Sequence, residues 1–187
     1  MGRPRVIDRE HLLDMAEDIA RNDGVARLTL GALALAAGVS KGGVQAVFGT
    51  KDQLMDALFQ RWIGEYDTEL TAKVGPTPSP LQALGAHIDI TRNIDEAEAH
   101  RAAGLLTVLL STVDQRQKSD DWYRSRLDLA DLSTPQGRRA RIAFLATEGA
   151  FFLRCFGLLQ MAEPEWNDIL DDIRRELMPD DSYSLKK

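Results

Sequence analysis

The sequence predicts an all-α protein of about nine helices, on three observations. Apolar residues recur at spacings of three and four along nearly the whole chain, and no stretch alternates apolar and polar residues for long enough to make a strand. Helix-start signals recur, a Ser, Thr or Asp just before an apolar run, twice followed by Pro. Between Leu28 and Leu54, two short apolar-faced segments flank a glycine turn, the layout of a helix-turn-helix.

Taken in order, the first helix runs from about Arg9 to Asn22. Asp8 caps it, Leu12, Ala16, Ile19 and Ala20 face inward, and Gly24 closes it. Thr29 caps the second, which carries Leu30, Leu33, Ala34 and Ala37 on its inner face. Gly38 supplies the left-handed residue that ends it, and Val39 plugs the turn. Ser40 caps a third helix, Lys41 to about Val47. Thr50 with Gln53 forms a capping box for a fourth, about Lys51 to Lys73. Leu54, Leu58, Trp62, Tyr66 and Leu70 make its apolar stripe, and unbroken it is about 34 Å long.

The run Gly75-Pro76-Thr77-Pro78-Ser79-Pro80 is the clearest linker. Ser79 and Pro80 then open a fifth helix to about Asn93, and a sixth spans about Glu96 to Val113, apolar nearly all round from Leu105 to Leu110. A seventh covers about Asp120 to Asp131. Thr134 and Pro135 start an eighth, to about Leu159, and a ninth runs from Pro164 to Leu177 with Trp166, Ile169, Leu170, Ile173 and Leu177 on one face. The tail 179–187 is expected to fray. Residues 1–50 thus form a three-helix helix-turn-helix domain, the helix over 51–73 connects, and 74–187 form a second helical domain.

Composition is that of an ordinary globular protein, 44% hydrophobic and 28% charged. No run of apolar residues is long enough to span a membrane, and MGRPRVIDRE has no apolar signal core, so a cytoplasmic location is expected. The single cysteine, Cys155, excludes an internal disulfide and fits a reducing compartment. Net charge is −6, but residues 1–61 hold eight Lys/Arg and eight Asp/Glu, so the acidity belongs to the remainder of the chain. Arg3, Arg5, Arg27, Lys41 and Lys51 bracket the third helix, and local placement rather than total charge sets a DNA footprint.

The stretch from Thr29 to Leu54 resembles the tetracycline-repressor (TetR) family of bacterial transcription regulators, with the pattern T-x-x-x-I-A-x-x-A-G-V-S-x-G-x-x-Y-x-x-F-x-x-K-x-x-L. Thr29, Leu33, Ala34, Ala37, Gly38, Val39, Ser40, Gly42, Phe48, Lys51 and Leu54 fall in register. The resemblance is strong from about residue 8 to 62, and beyond that is one of length and helical layout. It departs at one point: Gln45 stands where the family carries a tyrosine that contacts phosphate. The resemblance implies a homodimeric regulator, most often a repressor, that binds a DNA operator and answers to a small-molecule effector through its C-terminal domain.

The candidate DNA-binding residues are Thr29, Ser40, Lys41, Gly42, Gly43, Gln45, Ala46 and Lys51, with Arg3 and Arg5 either an arm into the minor groove or a disordered basic tail. The N-terminus of the third helix offers unbonded N–H groups and a positive dipole end to phosphate, and two glycines remove bulk there. Lys51 opens the fourth helix, where the dipole disfavours a cation, so a phosphate partner would offset that cost. Gln45 suits either a phosphate or an adenine edge. Ala46 and Val47 leave base readout sparse.

The candidate ligand-binding residues are Trp122, Phe144, Glu148, Phe151 and Phe152. Glu148 sits among aromatics, either as a ligand anchor or as half of an ion pair with an arginine such as Arg92 or Arg154. His11, His87 and His100 make no metal spacing, and no nucleophile–base set or phosphate loop is present, so neither an enzyme nor a metal or cofactor site is expected. The eighth helix is apolar on two faces: Ile142, Leu145, Ala146, Gly149, Phe152 and Phe156 on one, and Phe144, Phe151, Cys155 and Leu158 on the other. One face fills the chain's own core, and the other, with the ninth helix, suits a second copy of the chain; the alternative is a central helix buried within its own chain. The alternative function is a protein-interaction module with a vestigial helix-turn-helix.

Overall fold

The computed structural model describes residues 8–109 and 113–178, and every regular element among them is helical. The nine α-helices are α1 Arg9–Asp23, α2 Leu30–Ala37, α3 Lys41–Phe48, α4 Lys51–Val74, α5 Pro80–Arg92, α6 Glu96–Leu109, α7 Val113–Leu127, α8 Pro135–Cys155 and α9 Glu163–Leu177, with a 3-10 turn at Val25–Arg27. The expected basic arm Arg3 and Arg5 and the tail 179–187 lie outside the described residues. So do residues 110–112 and the side chains of His100, Leu105, Val108, Leu109 and Gln115.

The caps read from the sequence are formed by hydrogen bonds. Asp8 accepts from the backbone N–H groups of Glu10 and His11, Thr29 from Ala32, Ser40 from Gly43, and Thr134 from Gly137. Thr50 and Gln53 bond reciprocally, as do Ser79 and Gln82. Asp95 and Glu98 make a further such pair at the start of α6. Gly38 adopts φ 64° and ψ 31°, the left-handed conformation a side chain resists, and its N–H returns to the carbonyls of Ala34 and Leu35.

Three boundaries of the seventh and eighth helices differ from the sequence expectation. The seventh helix begins at Val113 rather than near Asp120 and stops at Leu127 rather than Asp131. Nothing in Arg116-Gln117-Lys118 breaks a helix, and these long unbranched side chains favour one. The eighth helix ends at Cys155 rather than Leu159, because Gly157 turns left-handed at φ 62° and the N–H groups of Leu158 and Leu159 both return to Leu153 O. Leu158 is therefore off the helix and exposed, not part of its buried face.

The chain divides into two compact units, one of residues up to Gly64 with 101–116 and one of 65–100 with 117 onward. The division falls inside α4, α6 and α7. In the first unit, Leu12, Leu13, Ala16, Leu28, Leu33, Val44, Phe48, Leu54 and Leu58 form one buried cluster. Arg61 of α4 pairs with Asp14 at 2.6 Å, and Arg101 of α6 with Glu17 at 3.0 Å. In the second unit α5 packs on α8 and α9, and α8 on α9. Trp166, fully buried, donates its indole N–H to Arg92 O at 2.9 Å, and the Arg154 guanidinium lies 4.5 Å over its ring.

Gly137, in the first turn of α8, has no room for a side chain. A Cβ there would lie 1.9 Å from the Asp131 carbonyl oxygen. That carbonyl also accepts from Thr134 N and Oγ1, so it is held in place. Gly137→Ala should therefore cost about 1–3 kcal/mol of stability, the range for overpacking. Urea unfolding monitored by circular dichroism measures it; an unchanged midpoint would show that the 131–137 loop yields freely.

Candidate functional site

The helix-turn-helix presents α3 from a frame that its own core determines. The chain turns by 116° between α2 and α3, within the range for such a motif. Leu33 and Ala34 of α2 and Val44 and Phe48 of α3 are buried, which fixes the rotation of α3 about its axis. Lys41, Gly42, Gln45 and Ala46 are consequently exposed, with Gly43 half-buried. Thr29 and Ser40 spend their hydroxyls as caps yet remain at the surface. A Cβ added at Gly42 would meet only Ser40 Oγ, at 4.0 Å, so internal packing does not require a glycine there.

Lys51 is half-buried, and its ammonium donates to Val25 O at 3.4 Å, in the 3-10 turn before α2. A carbonyl thus meets the cation that the helix dipole disfavours at this position. Leu35 of α2 is 85% exposed, an apolar side chain on the outside of the motif.

The second unit has a buried polar chain. Glu148, at 8% exposure in the middle of α8, lies 3.1 Å from His87 Nε2, close but poorly aligned for a hydrogen bond. Tyr123 donates its hydroxyl to the other carboxylate oxygen at 3.0 Å. Tyr66 O and His87 Nδ1 are 2.9 Å apart. The expected arginine partner of Glu148 is therefore corrected: Arg92 pairs with Asp171 and Asn167, and Arg154 with Glu163 and Ile94 O. One turn of α5 carries His87 to the carboxylate, whereas both arginines are committed to side chains of α9. Burial pushes both tyrosine hydroxyls well above their usual range, and the Glu148 charge adds to it.

A cavity of about 620 Å³ lies within this unit, of the size that holds one small molecule. The end of α4, the proline-rich segment 76–79, the start of α5, the end of α7 and the first half of α8 surround it. Leu84, His87 and Phe144 are buried parts of its wall, while Thr77, Ser79, Asp131, Gln136 and Arg141 stand at its exposed rim. Of the five candidate ligand residues only Phe144 lines it. Glu148 lies behind His87, Phe151 is buried and Phe152 packs on Phe156. Trp122 lies under the Arg126 guanidinium, 3.7 Å from the ring centroid. Tyr66, His87 and Arg126 line the cavity and were not expected from the sequence. Nothing in the sequence singles them out, because three residues from three helices share no spacing. Among the described residues no group of three or more His, Cys, Asp or Glu could hold a metal ion, and no single helix is long and apolar enough to cross a membrane.

Two family models match the chain. Residues 12–58 match that of bacterial regulatory proteins of the tetR family, and residues 82–177 match that of the tetracyclin repressor-like C-terminal domain. No curated protein sequence matches it. Among solved structures it is similar to a transcriptional regulator from Rhodococcus sp. Rha1, with a TM-score of 0.68, 20% identity, and cover of 89% of this chain and 94% of that one. It is also similar to the fatty acid degradation regulator FadR from Bacillus halodurans, with TM-score 0.68, 15% identity, and cover of 96% and 100%. A third is SmeT in complex with triclosan, with TM-score 0.65, 21% identity, and cover of 89% of each chain. At these identities the likeness is one of fold.

Burial pushes the Cys155 thiol up to about 12 from its ordinary 9.0, more than the Arg154 charge lowers it. The folded state holds this proton, and those of Tyr66 and Tyr123, more tightly than the unfolded chain does. Stability should therefore hold up to about pH 9 and fall as pH rises beyond it. At pH 8 Cys155 should stay unmodified by iodoacetamide in the folded protein and react on unfolding. Mass spectrometry reads both states, and rapid alkylation of the native protein would contradict the burial.

Proposed function

Because the chain belongs to the tetracycline-repressor family of bacterial regulators, we propose that it is a ligand-responsive transcriptional regulator. It acts without catalysis, in the cytoplasm, as a repressor that binds a palindromic operator as a homodimer. One observation carries the reading: the core residues Val44 and Phe48 turn α3 so that Lys41, Gly42, Gln45 and Ala46 face outward together. A helix N-terminus with a lysine, a glycine and one amide side chain suits a phosphate backbone and a few base edges. Lys51 and the arm Arg3 and Arg5 belong to the same footprint.

The dimer reading rests on α8. Ile142 is 52% and Leu145 53% exposed, and Gly149, Leu153 and Phe156 continue the same stripe. Such a stripe at helical spacing suits a second copy, with α8 and α9 of each chain forming a four-helix interface. An effector in the cavity would favour a dimer geometry in which the two α3 helices no longer match half-sites about 34–36 Å apart. By linkage DNA must weaken effector binding by the same factor.

The test is selection of bound fragments from genomic DNA, followed by anisotropy titration on the selected operator. Failure to enrich any fragment would favour the protein-interaction reading. On that operator Lys51→Ala should weaken binding to all DNA alike and lower the salt slope by about one unit. Its melting temperature is measured alongside, because Lys51 also bonds Val25 O. Gln45→Ala should lose about 1–3 kcal/mol on the operator and little on random DNA if the amide reads a base. A base-selective loss for Lys51→Ala would mean α3 is docked in another register.

Gly149 is open, with nothing within 4 Å of an added Cβ, so Gly149→Arg should fold normally. It should convert the dimer to a monomer in analytical ultracentrifugation at micromolar concentration, since an unpaired interfacial charge costs several kcal/mol. A monomeric unmutated protein, or a variant that stays dimeric, removes α8 from the interface.

A further inference from the structure

The cavity wall is unevenly charged. Among its described lining residues Arg126 and Arg141 are cations and Asp131 is the one acid. Asp131 stands at the exposed rim, and its Oδ1 already accepts from the Ser133 N–H at 3.0 Å and hydroxyl at 2.7 Å. The buried carboxylate, Glu148, is turned toward His87 and Tyr123 and takes no part in the wall.

Arg126 is held in one place. Its guanidinium lies 3.7 Å from the Trp122 ring centroid and 5.4 Å from that of Tyr66, a stacked arrangement. One Nη donates to Trp122 O at 3.3 Å and Ser125 Oγ at 2.9 Å, and the other to Asp67 at 2.9 Å. Asp67 is 54% exposed, so water screens that pair from its far side. Arg126 Nε is buried and has no hydrogen-bond partner. A buried cationic donor left without an acceptor is costly, and a preformed one loses little freedom on binding.

We propose that the cavity takes an apolar carboxylic acid, bound as its anion, with the carboxylate on Arg126 and the hydrocarbon body along Leu84 and Phe144. This rests on the reading of the second unit as the effector-binding one, and adds to it the chemical class of the effector. A cation of the same shape would meet two arginines and no buried carboxylate. A neutral molecule could offer Arg126 only an uncharged acceptor, a weaker partner for a guanidinium than a carboxylate. The charge of the head group, not the shape of the body, is the discriminating feature.

Calorimetric titration of the full-length protein with octanoate, 1-octanol and octylamine tests this. Octanoate should bind about tenfold or more tighter than 1-octanol, the fold-change of one charge-assisted hydrogen bond, and octylamine should bind weakest. Arg126→Gln should bring octanoate to the level of 1-octanol and leave 1-octanol unchanged. Should Arg126→Gln fail to fold, Arg126→Lys, which keeps the charge and loses Nε, should reduce the preference. Ala140→Phe, which places a phenyl ring in the cavity, should weaken all three. Equal or tighter binding of 1-octanol or octylamine, a preference that survives both Arg126 variants, or no binding of octanoate would each overturn the proposal. DNA binding without ligand is measured separately. A protein that binds its operator but not octanoate loses only the ligand class, and one that binds octanoate but no DNA loses the regulator reading.

Discussion

Glu148 brings a carboxylate into the middle of α8, between Phe144 and Phe151, where water does not solvate it. A charge in that position is tolerated only if other groups replace its hydration. Tyr123 donates to one oxygen and His87 approaches the other, and the demand passes outward from there. A carboxylate beside Nε2 favours the imidazole proton on that nitrogen, which leaves Nδ1 to accept from Tyr66. Helices α4, α5, α7 and α8 each supply one member of this chain. Their relative rotations are thereby coupled to a single buried charge.

The cavity inherits its chemistry from that arrangement. Tyr66 and His87 reach its wall with their polar atoms directed at each other. Their outward surfaces are aromatic, and Phe144 lies 4.9 Å from His87 ring to ring. Away from the exposed rim, what remains polar in the wall is chiefly Arg126, pinned on Trp122 and Tyr66 by stacking and by Asp67. The site is therefore an apolar space with one fixed cation, and selectivity for head-group charge follows from it.

The first unit works on the opposite plan. Its buried cluster is apolar; polar residues act at helix ends, where Thr29, Ser40 and Thr50 satisfy backbone N–H groups, and in the ion pairs of Arg61 and Arg101 with Asp14 and Glu17. The hydroxyl caps set where α2, α3 and α4 begin, and Val44 and Phe48 set how α3 is rotated. The exposed row from Lys41 to Ala46 is what these constraints leave over. This face depends on packing more than on any charge it carries.

Much of this is legible in the chain itself, because caps, glycine turns and apolar spacing are local. The starts of α2 through α5 and of α8 fall where Thr29, Ser40, Thr50, Ser79 and Thr134 place them, each within one helical turn of its own signal. The helix-turn-helix and the family resemblance are of the same kind, confined to residues close in sequence. Where no breaker punctuates the chain, as from Val113 to Ser119, the local signal fails and does not mark the helix start. The partner of Glu148 is not local at all. Sequence marks it as a buried charge needing company, but His87 is 61 positions away in the chain. An arginine could not be preferred or rejected without the packing of α5 against α8. The same holds for the cavity: Tyr66, His87 and Arg126 meet only because three helices converge. Local hydrogen bonding settled where helices begin, and only the tertiary structure, which brings distant side chains within hydrogen-bonding reach, decided which of them share a site.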